Sequence, residues 1–426
     1  MIPHSSAHEC DIQGISLNRS EVESCVEFGS LYDVCGERCL REYQPYPFSS
    51  MPDLEEPIYG KIFPVLVFFV VVANVMVAVV LSKRHMITPT NVVLKYMAIA
   101  DLFVGLTPLP WTVYYFTLGN MHHMERMELW WCKVQKMSMD AFPPVFHNVA
   151  MWLTVLLAGQ RFISISYPLY SRTLCNVRNV RIATVIIGVI SILCGLPKSF
   201  DFDINFFEGY LIGNNATAPP IYSRMCLMRS TDVMRSIGEN LYFSVYFWTR
   251  SIVFVVLPSI LLIGLNAGLI RGIQKAKKRK QRLLKEKRTR DAQRATDTNS
   301  TSLMLVVIVS IFLMVNLPQA FFMVMICIME SFPGIQLSFM QGRFPVVFLL
   351  VNNMLVMATY PINFAIYCFM HAIFGENRFT ESSVINERKL DNSVIPLVKY
   401  VHEDGTTAND ENGNGRQNRR NNSVYL

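Results

Sequence analysis

The sequence predicts an all-α membrane protein: a seven-transmembrane helix bundle with a short amphipathic surface helix after span seven. The chain has 426 residues, of which 51% are hydrophobic and only 17% charged. This composition is typical of multi-span membrane proteins rather than of soluble domains. Seven apolar segments reach the roughly 20 residues that a helix needs to cross a bilayer. They lie at about 61–82, 91–116, 134–164, 182–199, 241–270, 302–328 and 344–369.

Basic residues in the connecting links predict the orientation of these spans. The links that contain Ser82–His85, Arg172–Arg181 and Arg271–Arg294 are basic, and all three fall on one side of the membrane. The positive-inside rule places that side in the cytoplasm. Because the number of spans is odd, the N-terminus is then extracellular. We therefore expect a multi-pass plasma-membrane protein.

This topology divides the chain into three regions. Residues 1–58 are an extracellular N-terminal tail, and residues 59–374 are the seven-transmembrane domain. Residues 375–426 are a cytoplasmic tail, and its Asn- and Gly-rich end is expected to be largely disordered. Two glycosylation sequons, at Asn18 and Asn215, fall on the extracellular side.

The positions of the cysteines predict disulfides outside the membrane. Four of the ten cysteines precede the first span and face an oxidising space: Cys10, Cys25, Cys35 and Cys39. Four cysteines allow three pairings, and the sequence does not choose among them. Cys132 and Cys226 flank the membrane on the same outer side, which favours a disulfide between the top of span three and the second outer loop.

No catalytic signature is present, so we expect no enzyme activity. The sequence has no GxSxG, no HExxH, no phosphate-binding loop and no CxxC…CxxC metal pattern. Span seven contains no lysine, which excludes a retinal Schiff base. A membrane transporter is the alternative class, but transporters usually show related halves, and no repeat is visible. The basic charge follows the membrane surface, so no nucleic-acid partner is expected.

Several positions, taken in order along the chain, resemble the rhodopsin-like G-protein-coupled receptors. The matches are Asn74, Asp101, Arg161 with Pro168-Leu169, Pro258, Phe312 with Pro318, and Asn363 to Tyr367. The resemblance covers nearly all of the apolar part of the chain. It implies a ligand site between the outer ends of the spans and a G-protein site near Arg161.

Longer stretches resemble the sex peptide receptor and myoinhibitory (allatostatin B) peptide receptor group of invertebrates. They are Thr88–Asn91, Trp152–Arg161, Leu196–Asp201 and Tyr360–Cys368. The resemblance implies a secreted, amidated neuropeptide of the myoinhibitory type and coupling to a heterotrimeric G protein of the Gi/Go class. Arrestin and membrane lipids are further expected partners. FMRFamide-like peptides are the alternative ligand class.

Two departures from the family pattern concern switching. Gln160 replaces the acidic residue that usually pairs with the adjacent arginine, and this removes a local ion pair. Asn316 stands where the sixth-helix tryptophan is usual. We therefore expect other contacts to hold the resting state.

Polar residues in the outer halves of the spans are the candidate ligand contacts. Arg250 lies well inside span five, where an unpaired cation is costly, and a guanidinium suits a peptide carbonyl or carboxylate. The other candidates are His147, Asn148, Asp140, Asn316, Trp111 and Tyr246. Two interpretations of Arg250 are open: direct ligand contact, or an internal network with Tyr246 or Asp140. Trp111 belongs either to a wall of the site or to an interfacial aromatic belt.

A second set of residues is the candidate switch. It comprises Arg161, Leu169, Tyr367, Asn363, Asp101 and Asn74. Arg161 contacts either the G protein or lipid headgroups. Asp101, Asn74 and Asn363 predict a buried hydrogen-bond network, and the resemblance implies a sodium ion near Asp101. No other metal and no other cofactor is expected.

The basic run from Lys275 to Arg294 predicts a helix that continues from span five. Two roles are open for it, contact with lipid headgroups and contact with a partner protein. Thr380, Ser382 and Ser383 in the C-terminal tail are candidate phosphorylation sites for arrestin binding.

Overall fold

A computed structural model describes residues 18–46, 48–123, 127–213, 219–285, 289–332, 338–340 and 342–366. Several predicted features lie outside these residues: Cys10, Asn215, Tyr367, the surface helix after span seven and the tail from residue 375. The architecture below concerns the described part of the chain.

The described residues contain seven helices that are long and apolar enough to cross a membrane, which confirms the predicted bundle. We number them as spans 1 to 7. Their bounds are Pro52–Leu81, Pro89–Thr117, Leu129–Ser166, Val177–Ser199, Glu239–Lys278, Leu303–Met329 and Phe344–Ile366. Many of their apolar side chains face outward, among them Phe68, Val79 and Ile260. A surface of this kind is stable against lipid and would aggregate in water.

Two span starts show why these sequences form helices there. The Thr88 hydroxyl accepts a hydrogen bond from the Asn91 backbone N–H at 3.2 Å, and Pro89 occupies the first helical turn of span 2. The Asn176 side chain accepts from the Asn179 N–H at 2.8 Å at the start of span 4. Such caps satisfy N–H groups that a helix leaves without an intrahelical partner.

Four segments of the spans are wound as wider π-helix. They are Ile58–Ile62, Val113–Thr117, Lys136–Ala141 and Arg250–Val256. Wide turns of this type are frequent at functional sites, because they re-aim the side chains that follow. Two of the candidate ligand residues, Asp140 and Arg250, lie in such turns.

A five-stranded antiparallel sheet covers one end of the bundle. Its strands are β1 Tyr32–Asp33, β2 Arg38–Cys39, β3 Gln44–Pro45, β4 Phe202–Ile212 and β5 Ile221–Ser230, in the order β2-β1-β4-β5-β3. The long hairpin β4–β5 comes from the loop after span 4, and the three short strands come from the N-terminal segment. The helical prediction did not include this sheet. We call the covered end the sheet end, and the opposite end the Arg161 end.

Disulfides fasten the sheet to the bundle and to the N-terminal segment. Cys132 at the start of span 3 is bonded to Cys226 in β5, as predicted. Cys25 is bonded to Cys39, which selects one pairing among those left open by the sequence, and Cys35 is disulfide-bonded as well.

Three shorter helices lie outside the seven spans. Helix α1 (Arg19–Glu27) packs Val22 against the sheet, α2 (Pro168–Leu174) follows span 3, and α3 (Asp232–Ile237) precedes span 5. The helix of span 5 continues to Lys285, so the predicted extension through the first part of the basic run is confirmed.

Candidate functional site

The sheet end of the bundle contains a cluster of aromatic rings. Trp111 and Tyr115 of span 2 stack with their centroids 4.7 Å apart. Phe48 from the N-terminal segment lies 5.2 Å from the Trp111 ring and 5.6 Å from the Tyr115 ring. Tyr46 lies 5.7 Å from Phe48. The N-terminal segment therefore reaches into the bundle and adds two rings to the predicted aromatic wall.

Tyr46 is anchored by both its backbone and its side chain. Its N–H donates to the Cys226 carbonyl at 2.9 Å, next to the β3–β5 pairing of Gln44 with Met228. Its phenol donates to the Asp140 carboxylate at 2.5 Å. Burial, and then the adjacent Asp140 charge, raise the pKa of Tyr46, so the phenol stays a proton donor at physiological pH. Asp140 is thus held by the tail of the same chain.

The N-terminal segment covers Trp111, which is one of the predicted ligand contacts. Trp111 is 0% exposed beneath Phe48. Its indole N–H is buried and has no hydrogen-bond acceptor among the described residues. Contact between Trp111 and any ligand therefore requires the side chains packed on it to move, and Phe48 is one of them.

Arg250 does not form the internal network with Tyr246 or Asp140 that the sequence left open. Asp140 bonds to Tyr46, and Arg250 makes no hydrogen bond or ion pair within the described ranges. Its charge lies near enough to His147 of span 3 to interact with that ring electrostatically. His147 Nδ1 in turn lies 3.5 Å from the Tyr360 hydroxyl of span 7. A half-buried guanidinium without an acceptor among the described residues thus acts electrostatically on His147, which contacts span 7.

The remaining candidate contacts are buried. Asn148 and Tyr246 are 5% and 8% exposed. The Asn316 amide donates to the Phe312 carbonyl at 2.8 Å in its own helix, so its main role in this conformation is local. Of the predicted ligand contacts, Arg250 and His147 are therefore the pair with the clearest capacity to recognise a polar group.

A buried ion cluster was not singled out by the sequence reasoning. Asp201, immediately before β4, accepts from Lys136 of span 3 at 3.0 Å and from Lys198 of span 4 at 2.8 Å. The side chains of Asp201 and Lys136 are 1% and 6% exposed. Lys136 also donates to the carbonyls of Ser199 and Phe202. This cluster, which we call the Asp201 clamp, joins span 3, span 4 and the sheet.

At the opposite end, Arg161 lies half-buried in span 3 before the span ends at Ser166. Gln160 beside it is 5% exposed, and neither atom of its amide group has a hydrogen-bond partner within the described part of the chain. Leu169 is 80% exposed in α2, next to exposed Tyr170. This end therefore presents a cation together with an apolar surface patch.

The residues predicted to form a hydrogen-bond network around Asp101 have other hydrogen-bond partners or none among the described residues. The Asn74 amide donates to the Val70 carbonyl at 3.0 Å in its own helix. Asn363 Oδ1 is buried and lacks a partner among the described residues. Asp101 and Asn363 line a cavity of about 10 Å³, together with Thr154 and Tyr360. The three residues expected to form one network do not hydrogen-bond to one another within the described ranges.

This small cavity fits the chemistry of a sodium ion. A buried carboxylate, an amide oxygen without a donor and a hydroxyl are oxygen ligands, which hard cations prefer. Its volume is close to the minimum for one water-sized guest. Asp101 and Asn363 are the residues that would hold the ion.

The first sequon is accessible. Asn18 and Ser20 are exposed, and the Ser20 hydroxyl donates to the Asn18 side-chain oxygen at 2.8 Å. Asn215 lies outside the described residues.

Comparisons with known proteins agree on the family. A model of the serpentine seven-transmembrane G-protein-coupled chemoreceptors of type Srw matches residues 61–372. Sex peptide receptor-related protein 2 of Caenorhabditis elegans is 56% identical over 83% of this chain and 78% of the relative. The sex peptide receptor of Drosophila melanogaster is 32% identical over 75% of this chain and 71% of the relative. The FMRFamide receptor of the same fly is 21% identical over 95% of this chain and 68% of the relative.

Proposed function

The chain belongs to the seven-transmembrane G-protein-coupled receptors, in the group of the sex peptide receptor, and we propose that it is activated by an amidated neuropeptide of the myoinhibitory type. It signals in this proposal through a heterotrimeric G protein of the Gi/Go class. The relatives are signalling receptors rather than enzymes.

The orientation in the membrane is part of the proposal. The sheet end carries the disulfides and the exposed Asn18 sequon, both of which suit an extracellular, oxidising space. The extension of span 5 beyond Arg271 carries the basic run at the Arg161 end, which suits the cytoplasmic side. The peptide then enters from the sheet end, and the G protein binds at the Arg161 end.

One observation carries the ligand assignment. Arg250 is a half-buried cation inside span 5 with no acceptor among the described residues, and its charge is within electrostatic range of His147. Such a charge is costly unless something pairs with it. A peptide carbonyl or carboxylate supplies the missing acceptor, and the planar guanidinium suits a bidentate contact. Because His147 lies within reach of Tyr360, a ligand at Arg250 can act on spans 3, 5 and 7 together.

Activation follows as a shift between two conformations. The ligand binds more tightly to the conformation in which spans 3, 5 and 7 close around it at the sheet end. That differential affinity favours the state in which the Arg161 end opens to the G protein. Gln160 offers Arg161 no carboxylate, so in this proposal contacts other than an ion pair with this sequence neighbour hold the resting state.

The Arg250→Gln variant is expected to raise the peptide concentration needed for half-maximal response by about 10- to 100-fold. A hydrogen bond to a charged group contributes about 1.5–3 kcal/mol, and glutamine keeps the polarity but removes the charge and the fork. The measurement is G-protein activation against peptide concentration at matched surface expression. Arg343→Gln, an exposed arginine next to span 7, is the control and should leave the curve unchanged. Full potency of Arg250→Gln would remove this residue from the site.

The Tyr46→Phe variant is expected to lower the half-maximal peptide concentration by about 10- to 100-fold. Loss of the phenol hydrogen bond to the Asp140 carboxylate releases the N-terminal segment that covers Trp111, at the scale of about 1.5–3 kcal/mol for a hydrogen bond to a charged group. Peptide association kinetics on the purified receptor provide the measurement, since a loosened cover speeds entry. Tyr222→Phe removes an exposed bond to Glu208 in the same sheet and is the matched control. A slower association for Tyr46→Phe alone would mean that the tail forms part of the site instead.

FMRFamide-like peptides are the second candidate ligand class. The match to the FMRFamide receptor extends over 95% of this chain, although at 21% identity. Arg250 would serve either peptide, because it recognises the backbone or the terminus rather than a particular side chain. Potency ranking of tryptophan-amide against phenylalanine-amide peptides separates the two.

Two further parts of the proposal concern regulation. Sodium binds at Asp101 and Asn363 and stabilises the resting state; agonist affinity compared in sodium and in N-methylglucamine buffer tests this.

Arrestin binds the C-terminal tail after phosphorylation of Thr380, Ser382 and Ser383; unchanged desensitisation after replacement of all three would contradict this.

A further inference from the structure

A groove runs along the outside of the bundle between spans 3 and 5, towards the Arg161 end. It has a volume of about 580 Å³. Its lining combines glycines, an aromatic ring and cations, among them Phe162, Gly264, Gly268, Arg271, Lys275 and Lys278. No acidic side chain is among these residues. The groove therefore has an apolar part and a positively charged part.

The positions of its residues place both parts on one face of span 5. Successive helical residues are about 100° apart, so residues spaced by four, seven or eight fall close together. Gly264, Gly268 and Gly272 follow this spacing, and so do Arg271, Lys275 and Lys278. Gly264 and Gly268 lie about two turns and one turn before Arg271, and Gly272 lies between Arg271 and Lys275. The groove thus changes along the helix axis from apolar to basic.

The groove lies on the outer surface of the bundle rather than in its interior. The opposite face of span 5 buries Leu262 and Leu269, and Asn266 of that face donates to Ser310 of span 6 at 2.9 Å. Exposed Ile260 and Ile263 flank the groove. Arg271 and Lys275 are exposed as well. A G-protein segment that enters between the spans would meet the other face of this helix.

Spans 3 and 5 are in contact along part of the groove and leave open space along another part. A methyl group on Gly268 would meet the Phe162 ring, and one on Gly272 would meet Ile165, so there the helices of spans 3 and 5 are in contact. A methyl group on Gly264 would meet nothing within 4 Å. The missing side chain at Gly264 therefore leaves open space in the apolar part of the groove.

We propose that this groove binds one anionic phospholipid of the inner leaflet, with its phosphate on Arg271, Lys275 and Lys278 and an acyl chain over Gly264 and Phe162. The distance from Gly264 to Lys278 along the axis is about 21 Å at 1.5 Å per residue. One leaflet contributes about 15 Å of hydrocarbon. The groove therefore extends from acyl depth to headgroup depth. The choice of the inner leaflet rests on the proposed orientation. The contacts between the lipid and the groove do not depend on that orientation.

Native mass spectrometry of the full-length receptor tests the charged part of the groove. The probes are phosphatidylinositol 4,5-bisphosphate and phosphatidylcholine. The wild-type receptor is expected to retain the anionic lipid preferentially. The Arg271→Gln/Lys275→Gln variant should lower its retention roughly 25-fold, at about fivefold for each cation near a membrane surface. The control Lys277→Gln/Arg282→Gln removes the same charge from exposed residues outside the lining and should retain the lipid. Equal losses in the two variants would overturn the proposal.

A second pair of variants tests the apolar part. Gly264→Leu fills the open space and keeps every cation, so it should also lower lipid retention. Gly188→Leu, in span 4, likewise meets nothing within 4 Å and should not. Displacement of the lipid by soluble inositol trisphosphate at equal concentration, or full retention by Gly264→Leu, would show a headgroup site without a lipid groove and overturn the assignment. Melting curves confirm that each variant is folded.

The same variants separate this inference from the proposed receptor function. Lipid retention needs neither peptide nor G protein, so it can succeed even if the ligand assignment fails. If Arg271→Gln/Lys275→Gln kept the lipid and lost G-protein activation, the face would bind the G protein and the lipid proposal would be wrong.

Discussion

Arg161→Ala is expected to reduce G-protein activation by about 100-fold, the upper scale of a typical coupling free energy, while surface expression and peptide binding persist. Arg161 lies near the end of span 3 that is opposite the sheet, and so away from the proposed ligand site. Exposed Leu169 and Tyr170 lie in α2, which directly follows span 3. A cation beside an exposed apolar patch is a surface that a protein partner can recognise.

A second substitution at this position decides between the G protein and lipid headgroups. Arg161→Lys keeps a long cationic side chain that reaches headgroups but removes the planar fork. If Arg161 contacts the G protein through that fork, lysine restores little activation. If it only anchors the helix to lipid, lysine restores most of it. G-protein dissociation in cells, normalised to surface receptor, is the measurement. Arg172→Ala, an exposed arginine in α2, is the neighbouring control. Wild-type signalling by Arg161→Ala would contradict the assignment.

Asp201→Asn is expected to lower the stability of the folded receptor by about 3–5 kcal/mol, the range for loss of one partner from a buried ion pair. Lys136 would be left as a buried cation with backbone carbonyls as its only partners in the cluster. Lys198 loses its carboxylate too. Since the Asp201 clamp holds β4 against spans 3 and 4, the variant should melt at a lower temperature and reach the cell surface poorly.

The chain supplies a closely matched control for the clamp. Asp203 lies two residues further along β4 and is exposed, so Asp203→Asn removes the same charge without a buried partner. Adding Lys136→Met to Asp201→Asn should recover part of the loss, because it removes the unpaired cation. Thermal melting of the purified receptors provides the comparison. Equal melting temperatures for Asp201→Asn and Asp203→Asn would show that the clamp contributes nothing to stability.

The sequence predicts the parts of this receptor that depend on local patterns. Apolar length alone identifies the seven spans. A chain that crosses lipid must pair its backbone N–H and C=O groups internally, and a long apolar helix does so. Thr88, followed by proline, marks the start of span 2 in the same local way. The Cys132–Cys226 disulfide is favoured because both cysteines lie on the same side of the membrane, and the resemblance to the receptor family supports the pairing.

The parts that could not be predicted are contacts between residues far apart in the chain. Tyr46 and Asp140 are 94 residues apart, and nothing in either neighbourhood indicates the other. Lys136 and Asp201 each stand near a span end, where charges are usual, so their burial as a pair gives no local signal. One signal was available for the sheet: residues 202–206 at the start of β4, Phe-Asp-Ile-Asn-Phe, alternate between apolar and polar, and a period of two is typical of strands.

The central claim is that an amidated neuropeptide activates this receptor through a site that includes Arg250. The most direct measurement is G-protein dissociation in cells that express the full chain, with surface expression confirmed, against a panel of amidated neuropeptides. We predict a saturable response to tryptophan-amide peptides of the myoinhibitory type, and a higher half-maximal concentration in Arg250→Gln but not in Arg343→Gln. A surface-expressed receptor that responds to none of the amidated peptides would contradict the account.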